Sequence, residues 1–260
     1  MKILVCVKPG VPADQSLVID ESRQWIISYS DNNLPQLGRY DEIAVEQALT
    51  LKDAMNGVVV DVLTVGAPET SAILRRALGV GTDNAILVIN RLKGYVHASV
   101  TARFIVNAIC ARRYDLILSG ALSEDLAQGL VGPMIAEALN IPCVTSCKSL
   151  TIDKDRSVLL AKRDIEGARL QTTELKLPAL ATIQACPNKL RYPSLSNIIR
   201  ANNSEIEIVE PDSEPENRSD VHLVSLKYPV MSRSVQFLNG SSGEKALTLA
   251  SLLRKRALLA

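Results

Sequence analysis

The chain has 260 residues, of which 47% are hydrophobic and 3% aromatic, and its formal net charge is +1 at pH 7. This length allows one large core or a domain with an appendage, and the composition is typical of a folded globular protein. The near-neutral charge gives no support for binding to nucleic acid or to a membrane surface.

Five cysteines and two histidines limit the chemistry that the chain can carry. Met1 leads straight into a strand-like run without a secretory signal, and an odd number of cysteines in that setting favours a reducing compartment. Two histidines are too few for a zinc site around Cys143 and Cys147, so we expect buried thiols and no metal. No apolar run approaches the roughly 20 residues that a membrane span needs, so we expect no direct membrane insertion.

Short β-branched runs alternate with amphipathic helical segments over the first two-thirds of the chain. This alternation predicts an α/β fold in which an open, mostly parallel sheet has helices on both faces. The predicted strands are residues 3–7, 58–65, 84–89 and 115–120. The predicted helices are residues 41–54, 69–78, 96–112 and 129–139, and the expected C-cap of the second helix is Gly79.

The pattern changes after Asn140. Residues 179–185 form one further apolar strand, and a small antiparallel or mixed extension is predicted by three short strands at 144–150, 157–164 and 168–175. Residues 204–220 are rich in acids and predict an exposed linker, whereas 244–259 predict a terminal helix with one apolar stripe. We therefore divide the chain into an α/β domain at 1–204 and a linker with a C-terminal arm at 205–260.

Ligands of an open α/β sheet bind in the crevice beyond the carboxyl ends of the strands. The segments expected there are residues 6–10, 65–68 and 120–132. In the third segment Gly129, Val131 and Gly132 open a helix whose first amides can hold a phosphate. Ser123 and Gln128 offer side-chain donors nearby. The segment is neither a Walker motif nor a GxGxxG turn, and its glycines would equally suit a helix start that packs closely.

The sequence offers no constellation for acid–base or nucleophilic catalysis. His97 lies at a predicted helix start and His222 follows the linker, and we expect both to be structural or surface residues. Cys6 ends a buried strand, where packing explains a thiol better than reactivity does. We predict no catalytic residue in this chain.

Several stretches carry a family resemblance, namely MKILVCVK at 1–8, YDEIAVEQAL at 40–49, LRRALGVGTD at 74–83, LPA at 177–179 and NKLRYPSLSNI at 188–198. In this order, over most of residues 1–205, they resemble the beta subunit of electron-transfer flavoproteins. The resemblance implies a heterodimer in which a larger alpha subunit holds most of the redox FAD. It also implies an electron carrier without catalytic groups of its own. With it we expect a flavodoxin-like or adenine nucleotide alpha hydrolase-like sheet.

The resemblance further implies that this chain binds a nucleotide, commonly AMP, in a structural role. The residues that match the family's nucleotide site by position are Cys6, Gly38, Arg39, Tyr40, Asp41, Val65, Gly120, Ala121, Ser123, Asp125, Gln128, Gly129, Leu130, Val131 and Gly132. Family members usually have polar residues where Gly129, Leu130 and Val131 stand, and members that bifurcate electrons hold a second FAD here. AMP, a second FAD and an empty pocket therefore stay open.

A docking loop at about 184–200 is also implied, with Arg191, Tyr192 and Leu195 as docking residues. Leu195 would be the anchor that inserts into an apolar pocket of the partner. The implied partners are flavin dehydrogenases such as acyl-CoA dehydrogenase, together with a membrane quinone oxidoreductase. The C-terminal arm is expected to embrace the alpha subunit.

Two other classes of protein share this type of sheet. A stand-alone nucleotide-binding regulatory domain of the universal-stress type would need neither the docking loop nor an alpha subunit. An ATP-using ligase would need a phosphate loop that Lys8-Pro9-Gly10 does not provide. A bacterial cytoplasm fits the lack of targeting signals best, and the mitochondrial matrix is the second choice.

Overall fold

The chain forms two units, Met1–Leu226 and Lys227–Ala260. The computed structural model describes residues 1–10, 18–20, 25–27, 36–92, 94–153, 155, 157–211, 221, 223–228, 235–256 and 258. The strands are β1 Lys2–Cys6, β2 Pro9–Gly10, β3 Val18–Ile19, β4 Ile26–Ile27, β5 Gln36–Leu37, β6 Val59–Gly66, β7 Asn84–Ile89, β8 Leu116–Gly120, β9 Cys143–Asp153, β10 Val158–Ile165, β11 Arg169–Lys176, β12 Ala179–Ile183 and β13 Glu207–Val209. The helices are α1 Arg39–Ala54, α2 Ser71–Val80, α3 Ala98–Ile109, α4 Val131–Leu139, α5 Leu195–Asn203 and α6 Ser242–Lys255, with a short 3₁₀ helix at Pro68–Thr70.

One nine-stranded sheet organises the first unit, in the order β11-β10-β9-β12-β8-β1-β6-β7-β13. The strands from β9 to β13 in this order pair in parallel, and β10 and β11 extend the sheet antiparallel beyond β9. Small two-stranded ladders join β2 to β5 and β3 to β4. The predicted α/β class, with a mostly parallel sheet and an antiparallel extension, is confirmed.

The helices α1 and α3 cover opposite faces of the sheet, as the contacts of β1 show. Successive residues of a strand point to opposite sides. Ile3 belongs to a buried cluster with Leu49 of α1, and the next residue, Leu4, belongs to a second cluster with Phe104 of α3. Strand β1 is therefore buried on both faces, which explains why its sequence is apolar without alternation.

The helix α2 ends two residues later than expected. Gly81 is its C-cap, with a φ of 127° and an amide that donates to the carbonyl oxygens of Ala77 and Leu78. Glycine adopts such a positive φ without strain. Gly79 is buried inside the helix, where a Cβ would lie 3.2 Å from the Cβ of Pro193. The expected C-cap at Gly79 is therefore wrong, and that glycine permits close packing instead.

The expected linker at 204–220 is in part a strand. β13 pairs in parallel with β7 at the edge of the sheet. Glu207 on this strand forms an ion pair with Arg112, which follows α3. Residues 207–209 are therefore a strand and not a linker, although Glu207 and Ile208 are exposed as expected. Residues 212–220 lie outside the described residues.

The remaining predicted elements agree with the structure to within a few residues at their ends. α4 begins at Val131, two residues later than predicted. In the second unit, α6 begins with a capping box, in which the side chains of Ser241 and Glu244 each accept a hydrogen bond from the other residue's amide. No helix in the described part of the chain has the length and apolar character needed to cross a membrane.

Candidate functional site

The carboxyl ends of β1, β6 and β8 lie side by side at one edge of the sheet. Cys6, the last residue of β1, is opposite Leu63 of β6 and Ser119 of β8. The loops that follow these strands therefore open at the same edge, and the three predicted ligand segments meet there. This is the kind of crevice in which an open α/β sheet binds its ligands.

Asp41, in the first turn of α1, ties two of the loops at this edge to that helix. Its Oδ2 accepts a hydrogen bond from the amide of Lys8 at 2.9 Å, and its Oδ1 accepts one from the amide of Gly120 at 3.1 Å. A Cβ on Gly120 would lie 2.4 Å from Asp41 Oδ1, so glycine is needed for this approach. Asp41 is buried, and backbone amides of the chain bind both of its oxygens. Its carboxylate therefore orders the loops around the crevice.

The interior of this edge is poor in solvent, and two pKa values reflect that. Burial raises the pKa of Asp41 to about 7, although the amides of Lys8 and Gly120 and the charge of Lys8 act in the opposite direction. Burial, and then the neighbouring carboxylate of Asp41, raises the pKa of the Cys6 thiol to about 12. Cys6 is therefore a protonated thiol at neutral pH, with a packing role.

Two carboxylates of the loop after β8 tie it to the first residue of α1 and to the loop after β1. Glu124 Oε2 accepts a hydrogen bond from the amide of Arg39 at 3.1 Å. Asp125 forms an ion pair with Lys8, with 2.6 Å between Oδ2 and Nζ. The loop is thereby closed over the ends of β1 and α1, and both acidic side chains have partners within the chain.

Backbone bonds hold the same loop in shape. The amide of Ser123 donates to the carbonyl oxygen of Gln128 at 2.9 Å, and the amide of Gln128 donates to Ser123 Oγ at 3.3 Å. The amide of Ala121 donates to the carbonyl oxygen of Ile183 in β12 at 2.9 Å. Ser123 and Gln128, both predicted to face a ligand, thus also define the loop.

The first turn of α4 offers donors without acceptors. The amides of Val131 and Gly132 have no hydrogen-bond acceptor among the described residues, and Pro133 has no N–H. A Cβ on Gly132 would lie 2.7 Å from Thr182 Cγ2 and 2.8 Å from Ser119 Oγ, so this glycine is needed for close packing. The Ser119 hydroxyl is buried against the same turn and has no partner in the described part of the chain. Two free amides and a buried hydroxyl at a helix N-terminus fit an anion such as phosphate.

The other residues predicted in the loop after β8 surround this turn. Gly129 approaches the carbonyl oxygen of Ala121 so closely that a Cβ would lie 2.6 Å from it. Leu130 is the N-cap residue of α4 and provides no side-chain cap. Val65, near the end of β6, is half-buried and packs against the core on the α3 side. Gly129 and Leu130 thus lead directly into the turn that carries the free amides.

The predicted residues at the start of α1 lie beside the same crevice. Gly38 is buried, and its amide donates to the carbonyl oxygen of Lys8 at 3.1 Å. The side chains of Arg39 and Tyr40 line a cleft of about 430 Å³ together with Gln184, which follows β12, and other residues. The start of α1 therefore contributes backbone to the crevice and side chains to this cleft.

Aromatic rings lie next to the loop after β8, and the sequence analysis did not identify them. The Nε2 of Gln128 donates to the hydroxyl of Tyr95 at 3.4 Å. The ring centroid of Tyr95 is 6.3 Å from that of Trp25 and 6.4 Å from that of His97. Because Tyr95 is 33 positions from Gln128, and Trp25 is more distant still in the sequence, no local pattern connects these rings with the loop.

No group of three or more His, Cys, Asp or Glu side chains that could hold a metal ion occurs within the described ranges. His97 is the N-cap of α3, and its Nδ1 accepts a hydrogen bond from the amide of Ser99 at 3.3 Å. His222 lies outside the described residues. His97 therefore has the structural role expected from the sequence.

The predicted docking loop contains a helix, because α5 begins at Leu195. The side chain of Ser194 caps it by accepting a hydrogen bond from the amide of Asn197 at 3.3 Å. Tyr192, Leu195 and Ile199 are 82%, 75% and 56% exposed. We call these three residues the apolar tip. An exposed apolar group of this kind marks a surface that can bind another protein.

Arg191, predicted as a docking residue beside the apolar tip, is directed into its own domain. Its guanidinium donates to both carboxylate oxygens of Glu46 and, through Nη2, to Asp53 at 2.9 Å. Glu46 is 4% exposed at its side chain. The structure thus exposes Tyr192 and Leu195, whereas the charge of Arg191 is paired with two carboxylates of α1.

Known proteins are similar to the chain over most of its length. A family model described as "Electron transfer flavoprotein domain" matches residues 24–214. The chain is 31% identical to "Electron transfer flavoprotein subunit beta" of Bacillus subtilis, over 99% of both chains. It is 32% identical to "Caffeyl-CoA reductase-Etf complex subunit CarD" of Acetobacterium woodii, over 80% of this chain and 78% of that one. It is 30% identical to "Electron transfer flavoprotein subunit beta, mitochondrial" of Oryza sativa subsp. indica, over 88% and 90% of the two chains.

Proposed function

Since the chain belongs to the electron transfer flavoprotein family as a beta subunit, we propose that it is the small subunit of a heterodimer that carries electrons from flavin dehydrogenases. Redox chemistry would be supplied by FAD bound mainly by the larger alpha subunit. This chain would contribute a nucleotide pocket and a docking surface, and no catalytic group. The observation that carries the proposal is the match to beta subunits over nearly the whole chain. The crevice and the apolar tip support it.

The nucleotide that we propose is AMP, with its phosphate at the first turn of α4. The free amides of Val131 and Gly132 and the hydroxyl of Ser119 would donate to it. The helix dipole adds favourable electrostatics for an anion at this end of α4. Asp41 would not touch the nucleotide, because its carboxylate oxygens already accept from the backbone.

The apolar tip is the surface that we propose for docking to flavin dehydrogenases such as acyl-CoA dehydrogenase. A leucine and a tyrosine that are mostly exposed, on a short helix and its leading turn, fit an apolar pocket on a partner protein. A small contact of this kind would allow repeated binding and release between electron transfers. We propose that the electron acceptor is a membrane quinone oxidoreductase that receives electrons from the same heterodimer.

The second unit is the part of the chain that we propose contacts the alpha subunit. Val235, Phe237 and Leu247 are exposed within it, at 69%, 84% and 74%. Because β13 belongs to the sheet, a test deletion should begin at residue 227 rather than at 205. Loss of heterodimer formation on this deletion would support the arm, and an intact heterodimer would remove it from the proposal.

We place the complex in a bacterial cytoplasm.

The test of the nucleotide assignment is to isolate the native complex, denature it and count the released nucleotides by chromatography. One FAD and one AMP per heterodimer would support the proposal. Two FAD would assign the pocket of this chain to a second flavin. Absence of both flavin and a larger partner would reject the electron-carrier function.

A pair of variants tests the phosphate position. Ser119→Ala should lower the AMP content of the purified complex, because it removes the buried donor beside α4. Thr64→Val is the matched control, since Thr64 Oγ1 on β6 is also buried and without a partner among the described residues. Equal AMP content in the Ser119→Ala and Thr64→Val complexes would place the phosphate elsewhere.

A further inference from the structure

The helix α5 needs support from the rest of the domain to hold its position. It has nine residues, and a helix of that length is marginal in water by itself. Ala201 is the only residue of α5 that is buried, whereas Leu195, Ile198 and Ile199 are exposed. The contacts at the two ends of the helix therefore decide how it is oriented.

Arg191 and Pro193 hold the chain that leads into α5. The amide of Arg191 donates to Glu46 Oε2 at 3.0 Å, and its Nη2 donates to Glu46 Oε1 at 2.9 Å. A buried carboxylate retains its cation firmly, because separation would leave a buried charge unpaired. Pro193 lies over Gly79 of α2, where a larger residue would contact the ring at 3.2 Å. The N-terminal side of the helix is thus fixed on α1 and α2.

Arg75, on α2, holds the other end. Its Nη1 donates to the carbonyl oxygen of Ala201 at 2.9 Å and to that of Asn202 at 2.8 Å, with a longer contact to Ser204 at 3.3 Å. The last carbonyl groups of a helix have no partners in the helix itself, and they carry the negative end of its dipole. A guanidinium at this place satisfies these acceptors and supplies the favourable charge.

We propose that Arg75 is a positioning residue for docking, which fixes the orientation of α5 and of the apolar tip without touching the partner protein. The inference rests on the proposed function, because it takes the apolar tip as the docking surface. A surface that is held in its bound orientation loses less conformational freedom on binding, so its affinity is higher. Release of the C-terminal end would let α5 pivot on its fixed N-terminal side. Leu195 and Ile199 would then take several orientations relative to Tyr192, and only a fraction of them would be competent to bind.

The next residue on α2 provides a matched control. Arg76 forms an ion pair with Glu42 of α1 at 2.6 Å, and no hydrogen bond or ion pair joins it to α5, although it lines a small groove with Arg191 and Tyr192. Arg75→Gln and Arg76→Gln remove the same charge from adjacent positions of one helix. A difference between these two variants therefore reports the contact with α5 and not the net charge.

The experiment uses the purified heterodimer, with an acyl-CoA dehydrogenase as electron donor and flavin reduction as the signal. Arg75→Gln should raise the KM for the dehydrogenase about 3- to 10-fold and leave kcat nearly unchanged, because only the competent fraction of the tip falls. Hydrogen exchange of the α5 amides should become faster in Arg75→Gln. Arg76→Gln should change neither quantity, and Arg75→Lys should restore part of the KM, because its ammonium can still donate to the carbonyl groups.

Leu195→Ala separates failure of this inference from failure of the proposed function. It should raise the KM while hydrogen exchange in α5 stays unchanged, since Leu195 is an exposed contact residue. If Leu195→Ala raises the KM and Arg75→Gln does not, the positioning role is overturned and docking through the tip stands. If Leu195→Ala leaves the KM unchanged, docking through the tip fails and the inference fails with it. If Arg75→Gln yields no heterodimer, Arg75→Lys decides through both readouts. Faster hydrogen exchange of the α5 amides together with a raised KM supports the inference, and faster exchange with an unchanged KM overturns it.

Discussion

Replacement of Asp41 with asparagine should remove a pH-dependent part of the stability of the chain. Burial raises the pKa of Asp41 from its ordinary value of 3.8 to about 7. At about 1.36 kcal/mol per pKa unit, a shift of about 3 units corresponds to about 4 kcal/mol of stability.

The sign follows from which state binds the proton more tightly. Below about pH 4 the carboxyl group is protonated in the folded and the unfolded chain, so its favourable contribution is fully present. As the pH rises further, the unfolded chain releases the proton first, and the free energy of unfolding falls until about pH 7. Above that value the contribution of Asp41 is lost, and its stability effect no longer changes with pH.

Asparagine has the same size and carries no charge, but only its carbonyl oxygen can accept a hydrogen bond. Its NH₂ group would face one of the two backbone amides that Asp41 now accepts from, and the lost bond should lower stability by about 1–2 kcal/mol at every pH. Asp41→Asn should therefore be less stable than the unmodified chain at pH 5. Between pH 5 and pH 8 the unmodified chain should lose about 3 kcal/mol of stability that the variant does not lose. The variant should therefore be the more stable of the two at pH 8.

The assay is urea unfolding of the full chain, followed by circular dichroism at pH 5, 6, 7 and 8. Glu42→Gln is the control, since Glu42 is the next carboxylate in the same turn and pairs with Arg76 near the surface. A stability difference between Asp41→Asn and the unmodified chain that stays constant from pH 5 to pH 8 would refute the reasoning. It would mean that the folded chain keeps Asp41 ionised throughout.

Three further changes have expected outcomes. Gly132→Ala should lower the free energy of unfolding by about 1–3 kcal/mol through overpacking. Gly243→Ala should not lower it, because a Cβ at that position meets nothing within 4 Å. Equal melting temperatures of the two variants would contradict this expectation. At pH 8 a maleimide should modify the exposed Cys110 in the folded chain and Cys6 only after unfolding, and mass spectrometry of the peptides decides. Lys8→Gln breaks the partly exposed ion pair with Asp125, so it should lower stability by less than about 1 kcal/mol. AMP should leave the complex faster, because this ion pair holds the loop after β8. An unchanged release rate would show that the ion pair does not close the pocket.

The central strands could be predicted from the sequence because their signal is local. A strand buried on both faces needs an unbroken apolar run, and residues 3–7 and 84–89 consist of little else. The strand β13 has no such signal, because it lies at an edge and Ile208 is 62% exposed. Pairing with β7 and the ion pair of Glu207 with Arg112 form it, and both depend on residues far away in the chain.

The predicted loops of the crevice lie at one edge of the sheet, but the role of the residue that joins two of them could not be derived from the sequence, which indicated Asp41 only as a ligand residue. Asp41 bonds to backbone 33 and 79 residues away, so its role exists only in the folded chain. Ser119 was missed for a related reason. A serine inside an apolar strand predicts nothing until the helix that packs over it is known. For Arg191 the sequence indicated a docking residue, and the buried carboxylate of Glu46 that holds its side chain is 145 positions away.

Leu130 and Val131 at the start of α4 are apolar, whereas the family resemblance implies polar residues here, and the structure limits what this departure affects. Leu130 and Val131 still contribute backbone, and the free amides at the start of α4 do not depend on the side chains there. Nucleotide affinity should therefore depend more on residues that hold the backbone in place than on residues that line the crevice. Asp41 and Gly132 belong to the first group, since one ties the loops together and the other lets α4 approach the sheet. Substitutions at these two positions should release nucleotide, although Asp41 would not contact it and Gly132 would contact it only through its amide.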